Sequence, residues 1–170
     1  IYSDYTDPAM WYKGSRRGSI DQCFPSKVAI AHIHNLIFDK KVKPDVIFFP
    51  IVQKLTTELS NTTDNAACPT VSITPDVCKA AFTKEGDVFA ENDIRYLAPS
   101  FDMMNWDLFE HQMYEFAHDL LGVTPEENKE ALDIGFRMFR KYFDNLRADT
   151  RKVIDKLEED GKVGVVMLGR

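Results

Sequence analysis

Val46-Ile47-Phe48-Phe49-Pro50-Ile51-Val52 is the stretch whose reading decides the fold. It follows a break at Pro44-Asp45 and gives way to a Thr-, Asn- and Ser-rich segment over 53–67. A continuous apolar run of this length between turn residues reads as a buried strand, as in a parallel sheet covered by helices. Upstream, Val28, Ile33, Leu36 and Ile37 lie near helical spacing and predict a helix over about 25–40. Downstream, Pro69-Thr70-Val71-Ser72-Ile73 predicts a second strand, and Pro75-Asp76 opens a short helix to about Phe82. A third strand is expected over about 94–98, ending at Pro99. Residues 1–3 read as a strand stub. Residues 4–22 read as a polar loop carrying Lys13-Gly14-Ser15-Arg16-Arg17-Gly18-Ser19. Alternating strands and helices of this kind belong to the α/β class, with a parallel sheet and helices on both sides.

The last third is helical. Asn105 caps a helix that runs to Leu121 and stops at Gly122. Thr124-Pro125-Glu126-Glu127 then supplies an N-cap, a first-turn proline and a Glu at the third helical position. Nothing breaks that helix firmly before Gly161. Leu132, Phe136, Phe139, Phe143, Leu146, Thr150, Val153 and Leu157 recur in steps of four and three, an a/d stripe with one polar member. A helix of this length spans about 50 Å, more than a compact domain of this size needs, so it reads as a strut. Val163-Gly164-Val165-Val166-Met167-Leu168-Gly169 resembles a first buried strand of a further α/β unit. The expected division is therefore 1–122 as an α/β domain, 123–161 as a long connecting helix, and 162–170 as the first strand of a following domain. That layout reads as a piece of a longer polypeptide.

The chain has 170 residues, 44% of them hydrophobic, which is ample for one core. No apolar run approaches the ~20 residues of a membrane span, and no signal peptide is visible. The net charge of −6 argues against a nucleic-acid partner, which calls for a basic face. Three cysteines do not make a secreted disulfide framework, so a cytoplasmic protein is expected.

Two of those cysteines stand at corners: Cys23-Phe24-Pro25-Ser26-Lys27 and Cys68-Pro69. Pro25 suits a first helical position, where its missing N–H is not needed. A thiol just before a helix start lies near unpaired backbone N–H groups, a setting that favours thiolate, the form that binds metal. Two such corners on separate elements can converge on one metal site, yet two thiolates do not complete one. Their separation of 45 residues is not that of a compact zinc knuckle. In isolation a cysteine near a helix start is more often a small buried hydrophobe than a ligand, and Cys78 is expected to be one.

The other candidates have plainer readings. His32 and His34 lie two apart, so on a helix they face different ways and cannot share a metal. His34 is expected to be a partly buried histidine bonded to backbone. His111 and His118 share a face with Met113, Phe116 and Leu120, which suggests packing. Lys13, Arg16 and Arg17 with their glycines could hold a phosphate such as that of CoA, but match no phosphate-loop fingerprint and read more simply as a solvated loop. No Ser-His-Asp or paired-carboxylate pattern is readable, so catalytic residues are unassigned.

Taken in order, Cys23-Phe24-Pro25-Ser26-Lys27, His32, Phe48-Phe49-Pro50, and Cys68-Pro69-Thr70-Val71 with Pro75 resemble the 2-hydroxyacyl-CoA dehydratase superfamily. The likeness is strongest to the uncharacterised domain of CoA-substrate-specific enzyme activases, the activase–dehydratase fusions. It departs from that pattern at Ile30, where the family often has the first histidine of a His-x-His pair. The resemblance implies a Rossmann-like domain at whose edge a [4Fe–4S] cluster is held between domains. It implies Cys23 and Cys68 as cofactor-binding metal ligands, with Lys27 and His32 beside them. The partner would be an ATP-dependent activase module, fused or separate, that drives low-potential electrons onto the cluster, with an acyl-CoA as substrate of a lyase-type parent enzyme. Such clusters take about four ligands, so the cluster is expected in the full-length protein and not in this piece, which alone would be inactive. A zinc site of Cys23, Cys68 and a histidine is a further reading. A structural or docking domain without a metal is the alternative from another class, motivated by the a/d stripe.

Overall fold

A computed structural model describes residues 1–18, 23–57, 61–62 and 65–167, and it divides into two compact units, Ile1–Phe116 and the segment from Ala117 onward. The first unit is a mixed helix and strand structure. Helix α1 spans Pro8–Gly14 and runs into a 3-10 turn at Ser15–Arg17. Helix α2 covers Phe24–His34 and widens into a π-helical turn at Asn35–Asp39. Strands β1 (Val46–Phe48) and β2 (Ile51–Lys54) follow. After them come α3 (Pro69–Ser72), α4 (Thr74–Thr83) and α5 (Val88–Glu91), then β3 (Arg95–Leu97) and β4 (Ser100–Asp102). Helix α6 is Trp106–Leu121 and α7 is Pro125–Glu159.

The expected parallel pairing is present, as two small sheets: β1 with β3 and β2 with β4. Val46 faces Arg95 and Val52 faces Phe101, forty-nine residues on in both cases, so the register carries from one sheet to the next and shifts only beyond Val52, where Lys54 faces Asp102. The gap between them falls at Phe49-Pro50 on one side and Ala98-Pro99 on the other. Proline has no N–H to give a ladder. The ribbon is bridged across the gap by Phe49 N–H to the Leu97 carbonyl (2.9 Å) and Ile51 N–H to the Pro99 carbonyl (2.8 Å). The chain then returns beside β2 through an antiparallel bridge between Lys54 and Ala66, with Ala67 N–H bonded to the Gln53 carbonyl at 2.8 Å. That return delivers Cys68.

Three expectations are corrected. Residues 69–73 are not a strand: Pro69–Ser72 is a helical turn, with Ser72 N–H on the Cys68 carbonyl (3.0 Å) and Ile73 N–H on the Pro69 carbonyl (3.0 Å). The β-branched Thr70, Val71 and Ile73 suggested a strand, but Val71 and Ile73 are exposed, and a proline directly after a cap residue starts a helix instead. The segment 4–22 is not wholly a loop. Asp7 accepts from Met10 N–H at 2.7 Å and Pro8 follows it, which starts α1. Gly14 then packs so tightly on α2 that an added Cβ would lie 2.2 Å from the Ala31 Cα. Residues 1–3 form no strand.

The core joins Ile30, Ile33 and Ile37 to Ile47, Cys78, Ala81, Phe82, Phe89 and Ile94. Each fully buried large side chain among these stabilises the fold by about 1.5–3 kcal/mol. A second, aromatic cluster sets Phe101 edge-on to Phe109 and Phe116, with Phe48 against Phe116 at 5.3 Å.

In the second unit, Gly122 (φ 71°) and Gly161 (φ 58°) take the left-handed conformation at the helix ends, as expected of helix-stopping glycines. Thr124 and Glu127 form the full capping box at the start of α7, which is 35 residues long. Its stripe is open to solvent at Phe139, Leu146 and Val153, and neighbouring Met138 and Tyr142 are exposed as well. Residues 162–167 form no strand, and Val163, Val165, Val166 and Met167 are exposed; the expected continuation to residue 170 lies outside the described residues. Among the described residues no helix is long and apolar enough to cross a membrane.

Candidate cysteine site

Cys23 is the N-cap of α2 and Cys68 the N-cap of α3. Both have extended backbone leading into a proline-bearing first turn, and neither side chain makes a capping hydrogen bond. The capping is done by carbonyls: Cys23 O accepts from Ser26 N–H (3.1 Å) and Lys27 N–H (3.3 Å). Cys23 is exposed and Cys68 half-buried. None of the three cysteines is in a disulfide. Phe24, exposed beside Cys23, stacks on Trp11 of α1 with ring centres 5.8 Å apart.

The start of α2 is tied to the start of α4, the helix that follows α3. Helix α2 packs on α3 and α4. Ser26, three residues after Cys23, is 3% exposed, and Thr74, six after Cys68, is 7% exposed; their hydroxyl oxygens lie 2.8 Å apart. Thr74 donates its one hydroxyl proton to the Thr70 carbonyl at 2.7 Å. A hydroxyl has a single proton, so Ser26 is the donor between the two. The Ser26 oxygen then offers only lone pairs to the Cys23 sulfur, 4.0 Å away.

Cys78 is a different kind of thiol. It is fully buried in the core, and burial pushes it up to about 12, so it is inert, as expected for a structural cysteine. Tyr96, whose hydroxyl donates to the Pro75 carbonyl at 2.7 Å, is also held well above its ordinary range by burial, with smaller contributions from Cys78 and Asp76.

The histidines have structural partners. His32 is held at both ring nitrogens, Nε2 to Thr6 (2.9 Å) and Nδ1 to Ser3 (2.8 Å), which fastens the N-terminal segment to α2. Burial lowers its pKa from the ordinary value. His34 departs from expectation: its ring leans on Phe38 at 4.7 Å, and its buried Nδ1 has no hydrogen-bond partner among the described residues. Its pKa is lowered, mostly by burial and further by Arg17 and Lys13, against the opposing pull of Asp39. His111 pairs with Glu115 at 3.3 Å, and His118 Nδ1 lies 3.0 Å from the Val123 carbonyl. Lys27 is half-buried on the first turn of α2.

The basic run near residue 15 is engaged with the fold. Lys13 pairs with Asp39 at 3.5 Å, Arg16 lies over the Tyr12 ring and bonds its hydroxyl, and Arg17 lies 4.9 Å from the Phe82 ring centre. These contacts replace the solvated-loop reading with a helix and turn seated on α2 and α4.

Among the described residues no group of three or more His, Cys, Asp or Glu side chains is placed to hold a metal ion. An iron–sulfur cluster calls for about four donors, mostly thiolates. By count the two cap cysteines could supply at most two of those donors; Cys23 is exposed and Cys68 half-buried. Sequence reasoning found both cysteines but missed Ser26 and Thr74 as partners. The only local signal was a Ser three residues after a cap and a Thr just before Pro75.

The structure defines a mixed helix and strand domain with two small parallel sheets and two cysteine-capped helix starts. Over residues 1–170 the sequence matches the family described as CoA enzyme activase uncharacterised domain (DUF2229), and the chain belongs to that family. Neither the curated proteins nor the solved structures gave a match.

Proposed function

We propose that this domain lends the thiols of Cys23 and Cys68 to a [4Fe–4S]-type cluster in a CoA-linked enzyme of the 2-hydroxyacyl-CoA dehydratase or activase kind. The observation that supports it is the chain of hydrogen bonds from Ser26, at the Cys23-capped start of α2, through Thr74 at the start of α4 to the Thr70 carbonyl in the Cys68-capped turn α3. The family's link to CoA enzyme activases supplies the context. When bound, such a cluster supplies low-potential one-electron chemistry, with ATP hydrolysis in an activase module as the driving force and an acyl-CoA as the substrate class. The chain's own part is to present two sulfurs, to keep one side open for further ligands, and to anchor that edge with His32 and the α1–α2 contact. The parallel pairing of β1 with β3 and β2 with β4 among helices supports a Rossmann-like unit.

The test is anaerobic loading of the protein carrying this domain with iron and sulfide. Cys23→Ser and Cys68→Ser are each expected to lose the visible absorbance and the EPR signal of the reduced cluster. Full spectra in both variants overturn the proposal. A second reading, a docking domain without its own metal, is favoured by the exposed apolar stripe of α7, and it is the one left standing by that result.

A further inference from the structure

We infer that Ser26 and Thr74 form a hydroxyl clamp that sets the spacing of the two cysteine corners, making them positioning residues for that site. Its geometry is independent of any metal; its functional meaning rests on the cluster reading. Three observations carry it. Both hydroxyls are buried on different elements, 48 positions apart in the chain, and lie 2.8 Å from one another. Ser26 sits in the first turn after the Cys23 cap, while Thr74 opens α4 and reaches back to the Thr70 carbonyl in the Cys68-capped turn, so the Ser26–Thr74–Thr70 chain links one corner to the other. The proton order is determined from the far end, because Thr74 is committed to the Thr70 carbonyl. Ser26 is thereby committed to Thr74, and its proton is kept from the Cys23 sulfur.

Apolar packing alone would tolerate sliding of α2 over α3 and α4. A buried hydrogen bond does not, since separating it leaves two polar groups without water. The clamp thus defines one spacing where packing would permit several.

The experiment is crosslinking of Cys23 to Cys68 by dibromobimane in the whole chain; buried Cys78 does not compete. The wild type is expected to crosslink, with both sites identified by peptide mapping. Ser26→Ala and Thr74→Val are each expected to slow the reaction about fivefold, the factor a neutral hydrogen bond supplies. Thr74→Ser, which keeps the hydroxyl, is expected to stay near wild type. Circular dichroism checks that each variant is folded. Wild-type rates in folded Ser26→Ala and Thr74→Val overturn the clamp, as does a wild type that does not crosslink. Should Thr74→Val fail to fold, Thr74→Ser against Ser26→Ala decides: equal rates overturn it. Iron and sulfide loading of the longer protein that carries this domain, with the same substitutions, separates the two proposals. Slowed crosslinking in variants, with no loading even in wild type, supports the clamp and removes the cluster.

Discussion

Helices α2 and α7 make opposite use of apolar residues. Helix α2 has Ile30, Ala31 and Ile33 buried, with α1 on one side and α4 on another. Helix α7 keeps its apolar residues in one tidy stripe, yet Phe139, Leu146 and Val153 are exposed. By sequence periodicity α7 is the better amphipathic helix; by burial α2 is the better packed one. Periodicity says which face a helix offers, while packing depends on whether another element meets that face. The difference also locates stability: it lies in the elements that carry the cysteine corners, and α7 stands on its capping box, its intrahelical ion pairs and backbone hydrogen bonds.

The severest test of that contrast is a matched pair of truncations. Phe82 is 1% exposed and sits under Arg17 in the core, so Phe82→Ala is expected to cost about 3–5 kcal/mol of unfolding free energy. Phe143 on α7 is 36% exposed, and Phe143→Ala is expected to cost under ~1 kcal/mol. Urea unfolding followed by circular dichroism measures both. Similar losses would mean that the α7 stripe is covered in solution, and the comparison would fail.

Two glycines sharpen it, with opposite signs. At Gly14 an added methyl would stand 2.2 Å from backbone of α2, so Gly14→Ala must push α1 off α2, and about 1–3 kcal/mol of destabilisation is expected. At Gly135, inside α7, nothing lies within 4 Å of the added atom. Gly135→Ala is therefore expected to stabilise by about 0.5–1 kcal/mol through helix propensity alone. The shifts in urea midpoint should point in opposite directions; a loss at Gly135 would reveal a neighbour pressed against α7.

What was legible in the sequence follows the same division. Local chemistry was readable: Pro25 after Cys23, the Thr124–Glu127 box, Asn105 as a cap bonded to Leu108 N–H, and the glycines that stop α6 and α7. Contacts between distant residues were not. Gly14 looked like loop punctuation because its reason for being glycine is Ala31, seventeen residues away on another helix. Thr70-Val71-Ser72-Ile73 looked like a strand because β-branching speaks for strands, while the cap at Cys68 spoke more strongly. The short β4 was missed because Pro99 read as an end, although the register resumes beyond it. At the candidate site the cysteines were visible as corners. The Ser26–Thr74 bond needs the fold to bring two ordinary hydroxyls together.

The smallest expected effect concerns pH and again separates the two regions. His32 and His34 both lie on α2, and burial holds both pKa values below the ordinary 6.5. The unfolded chain therefore binds more protons than the folded one as pH falls through that range. The stability they lend is fully present above about 6.5, the unfolded value, and is lost as pH drops through their lower folded values. Urea midpoints should thus fall between pH 7.5 and pH 5.5, and His32→Gln should flatten part of that slope. His32 carries the clearer signal, because its two hydroxyl partners, Ser3 and Thr6, bring no charge of their own, whereas His34 answers to Asp39, Arg17 and Lys13 as well. An unchanged slope in His32→Gln would mean that the N-terminal segment leaves α2 in solution, and the ring would then titrate as it does in the unfolded chain.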